Sequence, residues 1–383
     1  MAQPSLNLRR LRSFLAVADA GSVTGACEIV CVTQSAVTQA VARLEEDLGV
    51  RLFERLPRGM SLTAAGRLLE TRARAAFRLM ETPVPSTVQM NAFLAVADAG
   101  SYVAAAALTG LSEAGLHRSI TDLSVTMRAP IFERRGRGLV LTAFGRRLAR
   151  RLRLARAELR SAVAEISGTD RRDSGRITIG AMPLSRSKPL PAAIAAFRIA
   201  LPAAEVAVIE GGHNELIGPL RDGDIDIVIG ALRDPAPGSD LSQHPLFEDQ
   251  PIIAGRPDHP LSRLGRDVVA EDLFAFPWIM SKSGTPLRIL WDAMFAAVGR
   301  APPVVEIECG SFALIRDLLV RGDYLTLLSP IQIALELRFG WLMAVADPPG
   351  DLRRTIGFTT RTDWRPTSIQ RQFLAILETE SVR

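Results

Sequence analysis

The chain has 383 residues, 48% hydrophobic and 23% charged, which allows two or three domains with proper cores and argues against bulk disorder. No apolar run approaches the roughly 18 residues of a membrane span, and the first residues lack the apolar stretch of a secretory signal. We therefore expect a soluble, cytoplasmic protein. Cys27 and Cys31 lie four residues apart on a predicted helix, but with no histidine or third cysteine nearby we expect small core residues, no metal site and no cofactor.

The net charge of +5 is divided unevenly along the chain. Residues 1–168 carry 23 arginines and no lysine against 14 acidic residues, a net +9, whereas the remainder carries −4. A basic first part joined to a mildly acidic second part is typical of a nucleic-acid-binding module attached to another unit. An ordinary solvated surface does not predict this division.

The nine residues FLAVADAGS occur twice, first at Phe14–Ser22 and again at Phe93–Ser101, 79 positions later. At the same offset, Leu11–Leu69 aligns with Met90–Leu148 without a gap and with 22 identities in 59 positions. A single gap-free match of this length predicts a duplicated domain rather than a solenoid, because about 60 residues can hold a core of their own.

The first copy has the pattern of a small helical unit. Apolar residues at helical spacing end at Gly21, Ser22 begins a second helix over about 23–30, and Thr33 begins a third over 34–48. Short strands at about 52–53 and 61–63 flank a turn, so the pattern predicts a winged helix-turn-helix. The third helix is expected to bury Ala36, Val37, Ala40, Val41, Leu44 and Leu48.

The opposite side of this third helix carries hydroxyl and amide groups. Such groups near a helix N-terminus suit base edges and phosphates in the DNA major groove, and arginines on the wing suit backbone phosphates. For any single residue a solvated polar face is an equal explanation, but the set together is harder to explain that way. The candidate DNA contacts are Ser22, Thr33, Gln34, Ser35, Thr38, Gln39 and Arg43, with Arg55 and Arg58 on the wing.

The order and spacing of several short motifs extend this picture over about 55 residues. The motifs are FLAVADAGS, VTQSAVTQ from Val32, RLE from Arg43, LGV from Leu48, LFER from Leu52 and LTAAG from Leu62. In these residues the chain resembles the winged helix-turn-helix of LysR-type transcriptional regulators. The resemblance implies that the helix beginning after Thr33 is the recognition helix.

The second copy departs from that pattern. Its third helix has Glu113 where the first copy has a glutamine, whereas its wing is the more basic of the two. We expect the first copy to recognise sequence and the second to dock on phosphates or act as a spacer, with a purely structural remnant as the alternative. The candidate contacts of the second copy are Ser112, His117, Arg118, Arg134 and Arg137.

A long helix is predicted over 144–166, after the second wing. Apolar residues repeat along it at intervals of four and three, which is a heptad seam: Leu148, Leu152, Ala155, Leu159, Ala162 and Ile166. The resemblance implies a dimerisation linker, and a two-fold dimer suits two half-sites. The alternative is a helix that packs on its own domain. Seven arginines between residues 146 and 160 suggest that its early turns also lie near phosphates.

From Arg176 onward strands alternate with helices. The order βαβαβ over 177–229, followed by a second such unit over 250–328, predicts two α/β lobes in series with a ligand cleft between them. LRDGDIDIVIGAL from Leu220 and VRGDYLTLLSP from Val320 resemble segments of the LysR effector domain, which implies a fold like a type 2 periplasmic binding protein. RTDWRPTSIQRQFLAIL from Arg361 is most similar to the branch of the galactose-binding-protein and protocatechuate regulators.

The expected architecture is therefore multidomain. Two winged helix-turn-helix domains (6–66 and 87–143) precede a linker helix (144–167) and a two-lobed α/β effector domain (175–383), with lobe one at about 175–248 and 331–383 and lobe two at about 249–330. Hydroxyls at helix starts suit anionic metabolites or sugars, although such residues often serve as plain caps. The candidate effector contacts are Ser185, Ser283, Gly284, Thr285 and Ser311.

These features predict a sequence-specific transcriptional regulator whose DNA binding responds to a small sugar or carboxylic acid. Its expected partners are promoter DNA, that effector, RNA polymerase and further copies of itself as a homodimer or homotetramer. A non-specific architectural DNA-binding protein is the main alternative. An α/β enzyme with a DNA-binding extension has less support, because four scattered histidines and the absence of phosphate-loop, nucleophile-elbow or dinucleotide motifs leave catalysis without a site.

Overall fold

The structure is a computed structural model that describes residues 6–57, 59–136, 138–170, 175–187 and 189–382. Its first part consists of two similar winged helix-turn-helix copies, each followed by a long helix. The first copy comprises α1 (Leu8–Ala20), α2 (Val23–Val30), α3 (Gln34–Leu48), β1 (Phe53–Leu56), β2 (Gly59–Leu62) and α4 (Ala64–Met80). The second comprises α5 (Thr87–Ala99), α6 (Tyr102–Thr109), α7 (Glu113–Met127), β3 (Phe132–Arg135), β4 (Gly138–Leu141) and α8 (Ala143–Asp170).

The shared residues explain why the two copies fold alike. Gly21 ends α1 in the left-handed region at φ 63°, and the Ser22 hydroxyl then accepts a 3.1 Å hydrogen bond from the Gly25 amide to begin α2. Phe14 packs against Phe53 of the wing with ring centroids 5.3 Å apart. The residues 79 positions later make the same caps and the same ring contact.

The helix α8 does not present its apolar seam to another chain. The six predicted seam residues are buried at 5% exposure or less in one core with Leu69, Ala73, Ala76 and Met80 of α4. The dimerisation role predicted for Leu148, Leu152, Ala155, Leu159, Ala162 and Ile166 is therefore wrong, and packing within the chain is what occurs. The reason is that α4, the equivalent helix of the first copy, carries a matching apolar stripe.

The two helices run antiparallel, and their arginines reach across reciprocally. Arg72 of α4 donates to the carboxylate of Glu158 on α8 at 3.1 Å, and Arg151 of α8 donates to the carbonyl of Leu79 on α4 at 2.9 Å. Arg151 is the residue equivalent to Arg72, and Glu158 is the residue equivalent to Leu79, at the offset of 79. Reciprocal contacts of this kind are produced by a two-fold axis between the copies.

The second part of the chain alternates strands and helices, interrupted by 3-10 turns at Pro183–Arg186, Pro260–Arg263 and Ala270–Ala275. Its elements are β5 (Arg176–Ala181), α9 (Pro189–Ala200), β6 (Glu205–Glu210), α10 (His213–Asp222), β7 (Ile227–Ala231), β8 (Leu241–Asp249), β9 (Ile252–Gly255), β10 (Trp278–Met280), α11 (Pro286–Ala297), β11 (Val305–Glu308), α12 (Phe312–Arg321), β12 (Thr326–Leu328), α13 (Ala334–Arg338), β13 (Met343–Ala346), β14 (Arg354–Arg361) and α14 (Ser368–Val382).

Lobe one is built on a five-stranded sheet in the order β6-β5-β7-β14-β8. The strands β5, β6 and β7 are parallel, as the predicted βαβαβ unit requires, and β14 runs antiparallel to both of its neighbours. The helices α9 and α14 cover one face, where Phe197 and Phe373 meet edge to face at 5.3 Å. The nine-residue strand β8 and the strand β14 were not predicted.

Lobe two holds an antiparallel sheet in the order β12-β9-β13, and the parallel pair β10-β11 is joined to it through a bridge between Trp278 and Leu325. Because β13 pairs with β9, the chain returns to lobe one after Ala346 and not at about residue 331. Within the described ranges no single helix is long and apolar enough to cross a membrane, and one bent pair, α5 with α6, passes that test by length and composition only.

Candidate nucleic-acid interface and effector cleft

The helix α3 separates an apolar face from a polar one. Val37, Val41, Leu44 and Leu48 are buried in the core of the first copy. Ala36 and Ala40, predicted to join them, are exposed and half-buried respectively, because both line the open groove between α1 and α3. The predicted DNA contacts of this helix are all exposed and lie on its solvent side: Thr33, Gln34, Ser35, Thr38, Gln39 and Arg43.

Some of these side chains already have partners within the chain. The Ser22 hydroxyl caps α2, and the Thr33 hydroxyl accepts a 3.4 Å hydrogen bond from the Ala36 amide. Arg43 pairs with Glu46 at 3.0 Å, with both side chains more than half exposed. Such a surface pair contributes about 0–1 kcal/mol, so Arg43 is available to a phosphate.

The wing beside α3 carries further positive charge. Arg55 is exposed on β1. Arg58, predicted as its companion, lies outside the described residues.

A basic groove beside α3 was not predicted from the sequence. It has a volume of about 720 Å³ and lies between the start of α1, the end of α2 and the first half of α3. Arg9, Arg10 and Arg12 of α1 line it together with Arg43. Its signal in the sequence is three arginines in four residues, but the apolar spacing of α1 indicates only the buried side of that helix.

The second copy offers a different surface. His117 and Arg118 are exposed on α7, and Arg134 is exposed on β3. The Ser112 hydroxyl caps α7 by accepting a 3.1 Å hydrogen bond from the Gly115 amide. Arg137 lies outside the described residues. The structure therefore places the described candidates on the helix and wing that correspond to those of the first copy.

The basic groove is not repeated in the second copy. The residues equivalent to its four arginines are Val88, Gln89, Asn91 and Asp122. The two copies thus share a backbone and differ in the charge and hydrogen-bonding groups that they present to DNA.

Several arginines of α8 hold the chain together and do not face DNA. Arg150 pairs with Asp240 at 2.6 Å, and Arg153 pairs with Asp222 at 2.5 Å. Arg151 is occupied at the end of α4. Arg146, Arg147 and Arg160 are the exposed members of the seven. The expectation that the early turns of this helix lie near phosphates therefore stays open for Arg146 and Arg147, whereas Arg150, Arg151 and Arg153 are paired within the chain.

These pairs dock the DNA-binding part on lobe one. Burial raises the pKa of Asp222, and the opposing charge of Arg153 limits the rise. Gly223, which follows α10 at φ 80°, lies so close to α8 that a β-carbon would meet Leu154 at 3.2 Å. Arg72 adds a third link by donating to the carbonyl of Arg365 at 2.8 Å. The turn LRDGD thus serves as the docking face for α8.

The predicted effector contacts lie in both lobes. Ser185 of lobe one is fully buried and donates to the Met182 carbonyl at 2.8 Å, so its hydroxyl is occupied by its own turn. In lobe two Ser283 and Gly284 are exposed after β10, and the Thr285 hydroxyl pairs with that of Ser281 at 2.7 Å. Ser311 is exposed at the start of α12 and makes no side-chain cap there.

Two residues at the carboxyl edge of the lobe-one sheet were missed. Arg233 follows β7, and its Nε is buried with no hydrogen-bond partner among the described residues. Burial lowers the pKa of Arg233, and burial together with the nearby charge of Arg233 lowers the pKa of His213 at the start of α10. A buried guanidinium atom without a partner marks this edge as suited to an anion. A lone arginine after a strand gave no usable signal in the sequence.

Comparison with known families agrees with both parts of the fold. The model described as "LysR substrate binding domain" matches residues 170–381. The model described as "Bacterial regulatory helix-turn-helix protein, lysR family" matches twice, at residues 8–67 and 87–146. The chain belongs to the LysR family of transcriptional regulators. The resemblance inferred from the motifs is confirmed, and so is the expectation of a regulator with a DNA-binding part and an effector-binding domain.

Individual relatives of this LysR regulator are also regulators. It is 33% identical to the HTH-type transcriptional regulator GalR of Pseudomonas putida over 370 residues, covering 93% of this chain and 92% of the relative. It is 26% identical to the regulator PcaQ of Agrobacterium fabrum, covering 73% of this chain and 89% of the relative. The match to GalR is long enough to include both helix-turn-helix copies.

Solved structures share the fold. A full-length cysteine variant of OxyR from Pseudomonas aeruginosa matches with a TM-score of 0.57 at 18% identity, covering 77% of this chain and 93% of that one. CbnR, a LysR family regulator, matches with a TM-score of 0.53 at 20% identity, covering 76% of this chain and 98% of that one.

Proposed function

We propose that this LysR regulator recognises its operator chiefly through α3 of the first copy and responds to a small carboxylic acid bound at the cleft. The observation that carries the DNA assignment is the exposed polar face of α3 bordered by the basic groove. The groove arginines would neutralise phosphates on one side of the helix, and Arg55 of the wing would do so on the other. Arg58 is proposed as a further phosphate contact from its place in the sequence. With both sides of α3 held in this way, the side-chain amides of Gln34 and Gln39 would lie over the base edges.

The side chains of α3 divide into two roles. Gln34 and Gln39 can each form two hydrogen bonds with an adenine, and the Thr38 methyl group suits a thymine. Thr33 and Ser35 at the helix N-terminus suit a phosphate, and Arg43 would contact the DNA backbone. In the second copy Arg134, Arg137 and Ser112 would dock on phosphates.

The effector class follows from the charge at the lobe-one edge. Arg233 would pair with a carboxylate, and the neutral imidazole of His213 would supply a further hydrogen bond. The hydroxyls of Ser283, Thr285 and Ser311 would close on the ligand from lobe two. A sugar would leave the Arg233 guanidinium without an anionic partner, so a carboxylic acid is the favoured class.

The response to effector would pass through α8. Closure of the lobes would move the docking face at Asp222 and Gly223, and with it the helix that carries the second copy. RNA polymerase is the proposed further partner. The protein would act by binding DNA and effector, without catalysing a reaction, and would do so in the cytoplasm. Homodimers or homotetramers would form outside the α4–α8 seam, at the edge strand β6, where Val208 and Ile209 are 42% and 43% exposed.

The DNA assignment is tested with the full-length chain and a footprinted fragment upstream of its gene. Gln34→Ala with Thr38→Ala should reduce affinity at least tenfold, because each lost specific base contact costs about 1–3 kcal/mol. Affinity for a scrambled fragment should be unchanged. The matched control is Gln372→Ala with Thr379→Ala, which removes the same two kinds of side chain from the exposed side of α14 in lobe one. An unchanged footprint for the first variant, or loss only with Arg118→Ala, would assign recognition to the second copy.

The effector assignment is tested by calorimetric titration of the full chain with panels of small carboxylic acids and neutral sugars. Arg233→Gln should weaken binding of the acid that titrates by about tenfold or more, because it removes a charged hydrogen bond. The control is Arg263→Gln, an exposed arginine of lobe two paired with Asp258. Binding of sugars alone would replace the proposed class.

A further inference from the structure

Equivalent residues of the two copies meet each other. Leu8 and Thr87 are 79 positions apart, and the Leu8 amide donates to the Thr87 hydroxyl at 2.9 Å. Together with the reciprocal arginines of α4 and α8, this contact places a two-fold axis between the copies. A residue touches its own equivalent only beside such an axis. The pairing is therefore that of a symmetric dimer, made inside one chain.

The pairing is held by buried and short-range links. Arg72 is 5% exposed between Glu158 and Glu165, which are 15% and 11% exposed. Only residues 81–86 join α4 to α5, and Arg151 pairs with Glu81 in this connection at 2.8 Å. A six-residue connection holds the copies at high effective concentration, so a second chain competes poorly for the seam.

A two-fold rotation places the recognition helices α3 and α7 on opposite sides of the axis but facing the same end of it, so both can meet one side of a DNA duplex. Two-headed proteins of this form contact half-sites about 10–10.5 bp apart, or a multiple of that distance. The heads here differ in chemistry. At the positions of Gln34, Gln39 and Arg43, the second copy has Glu113, Arg118 and Asp122.

We propose that one chain is a complete two-headed DNA-binding unit and that its operator is asymmetric, with two unlike half-sites. This inference rests on the proposed function of the first copy and adds base recognition to the second. The amides of α3 suit adenines, whereas Arg118 suits a guanine and Glu113 or Asp122 suits a cytosine amino group. The first half-site is then read at A·T pairs and the second at G·C pairs.

The number of half-sites protected per chain tests the proposal directly. Mass photometry of the full chain on a footprinted operator counts chains, and hydroxyl-radical footprinting counts protected half-sites. Two half-sites per chain are expected, whether or not chains associate through their effector domains. One half-site per chain would overturn the inference.

Altered operators test the asymmetry. An operator rebuilt as a palindrome of the first half-site should bind at least tenfold more weakly than the natural one, and so should an operator with five base pairs inserted between its halves. Tighter binding to the palindrome would overturn the inference, because it would show two like heads.

Head-specific variants separate the two hypotheses. Arg118→Ala with Glu113→Ala should remove protection and base preference from the second half-site only, and Gln34→Ala with Thr38→Ala should affect the first only. If the first-copy variant lowers specific affinity while the second-copy variant changes nothing, the proposed function stands and this inference fails. If no fragment is preferred over scrambled DNA, the proposed function itself fails.

Discussion

The Leu8 amide donates to the Thr87 hydroxyl at 2.9 Å, joining the first residue of α1 to the first residue of α5. The amides of a helix's first turn have no partner within the helix, and here the equivalent helix of the other copy supplies one. Thr87→Val keeps the shape of the side chain but removes the acceptor. We expect a loss of about 1–3 kcal/mol in the free energy of unfolding, measured with urea.

The matched control for this bond is Thr87→Ser, which keeps the hydroxyl and should stay close to the natural protein in stability. A loss in the serine variant with none in the valine variant would show that the methyl group matters and the hydrogen bond does not.

Arg72 should be the most sensitive charged residue of the α4–α8 pairing. Arg72→Met removes a buried guanidinium bonded to Glu158, Glu165 and the Arg365 carbonyl. Burial acts to lower the pKa of Arg72, but the bonds and charges of the two glutamates raise it overall, so the charged form is firmly held. Breaking a buried ion pair of this kind costs about 3–5 kcal/mol in unfolding free energy.

Arg74, two residues away, is the comparison for Arg72. Its side chain is 37% exposed, and it pairs with Asp19 and Glu70 at the surface. Arg74→Met should cost at most about 1 kcal/mol in the same urea experiment. Similar losses at the two positions would contradict the assignment of Arg72 as the buried link.

Asp240 should give the docking of α8 a dependence on pH. Burial acts to raise its pKa, but hydrogen bonds from Arg221 and Arg150 outweigh burial and lower the pKa below 3.8. A carboxyl whose pKa is lower in the folded state stabilises that state above its unfolded pKa, and the contribution is lost as pH falls through the folded value. Asp240→Asn should therefore be less stable at pH 7, with the difference shrinking below pH 3.8.

Thermal unfolding at a series of pH values measures this difference. Asp234→Asn, an exposed carboxylate in the same loop, serves as the control and should follow the natural protein throughout. A difference for Asp240→Asn that persists unchanged at the acid end would show that the loss comes from packing and not from charge.

Gly223 should be intolerant of a side chain. Gly223→Ala introduces a β-carbon at φ 80°, 3.2 Å from Leu154 and 3.3 Å from Ala157. The left-handed backbone alone costs about 1–2 kcal/mol for a residue other than glycine, and the close approach to α8 adds to it. We expect a lower melting temperature and a weakened effect of effector on DNA affinity.

Gly218 in the same helix provides the contrast, because a β-carbon there would meet nothing within 4 Å. Gly218→Ala should be neutral or stabilising by up to about 1 kcal/mol. If both alanine variants leave the effector response intact, the contact between α8 and the turn after α10 does not transmit the signal.

The local elements of the DNA-binding part could be predicted because their signals are local. Thr33 caps α3 and Gly49 ends it in the left-handed region, so both bounds of the recognition helix are visible in the chain. The strand β8 was missed because LSQHPLFED contains a proline and charged residues and lacks a clean alternation. Its pairing with the distant strand β14 holds it in the sheet.

In the candidate sites, too, only the parts that depend on local spacing could be predicted from the sequence. Hydroxyls and amides at successive turns of α3 could be placed on one face from helical spacing alone. The arginines of α1 join that surface only because α1 and α3 pack side by side. Arg233 and His213 come together at a sheet edge, from segments that no local pattern connects.

The sequence alone determined that the domain is duplicated, that each copy has a recognition helix and that α8 must bury one apolar stripe. It did not determine which surface covers that stripe, because a heptad pattern specifies that a face is buried and says nothing of the partner. The tertiary structure decided that α4 of the same chain covers it. Leu148 and Leu152 lie with Ala73 and Ala76 in one core. The short connection at 81–86 holds the two copies at a high effective concentration, which favours their pairing over pairing with another chain.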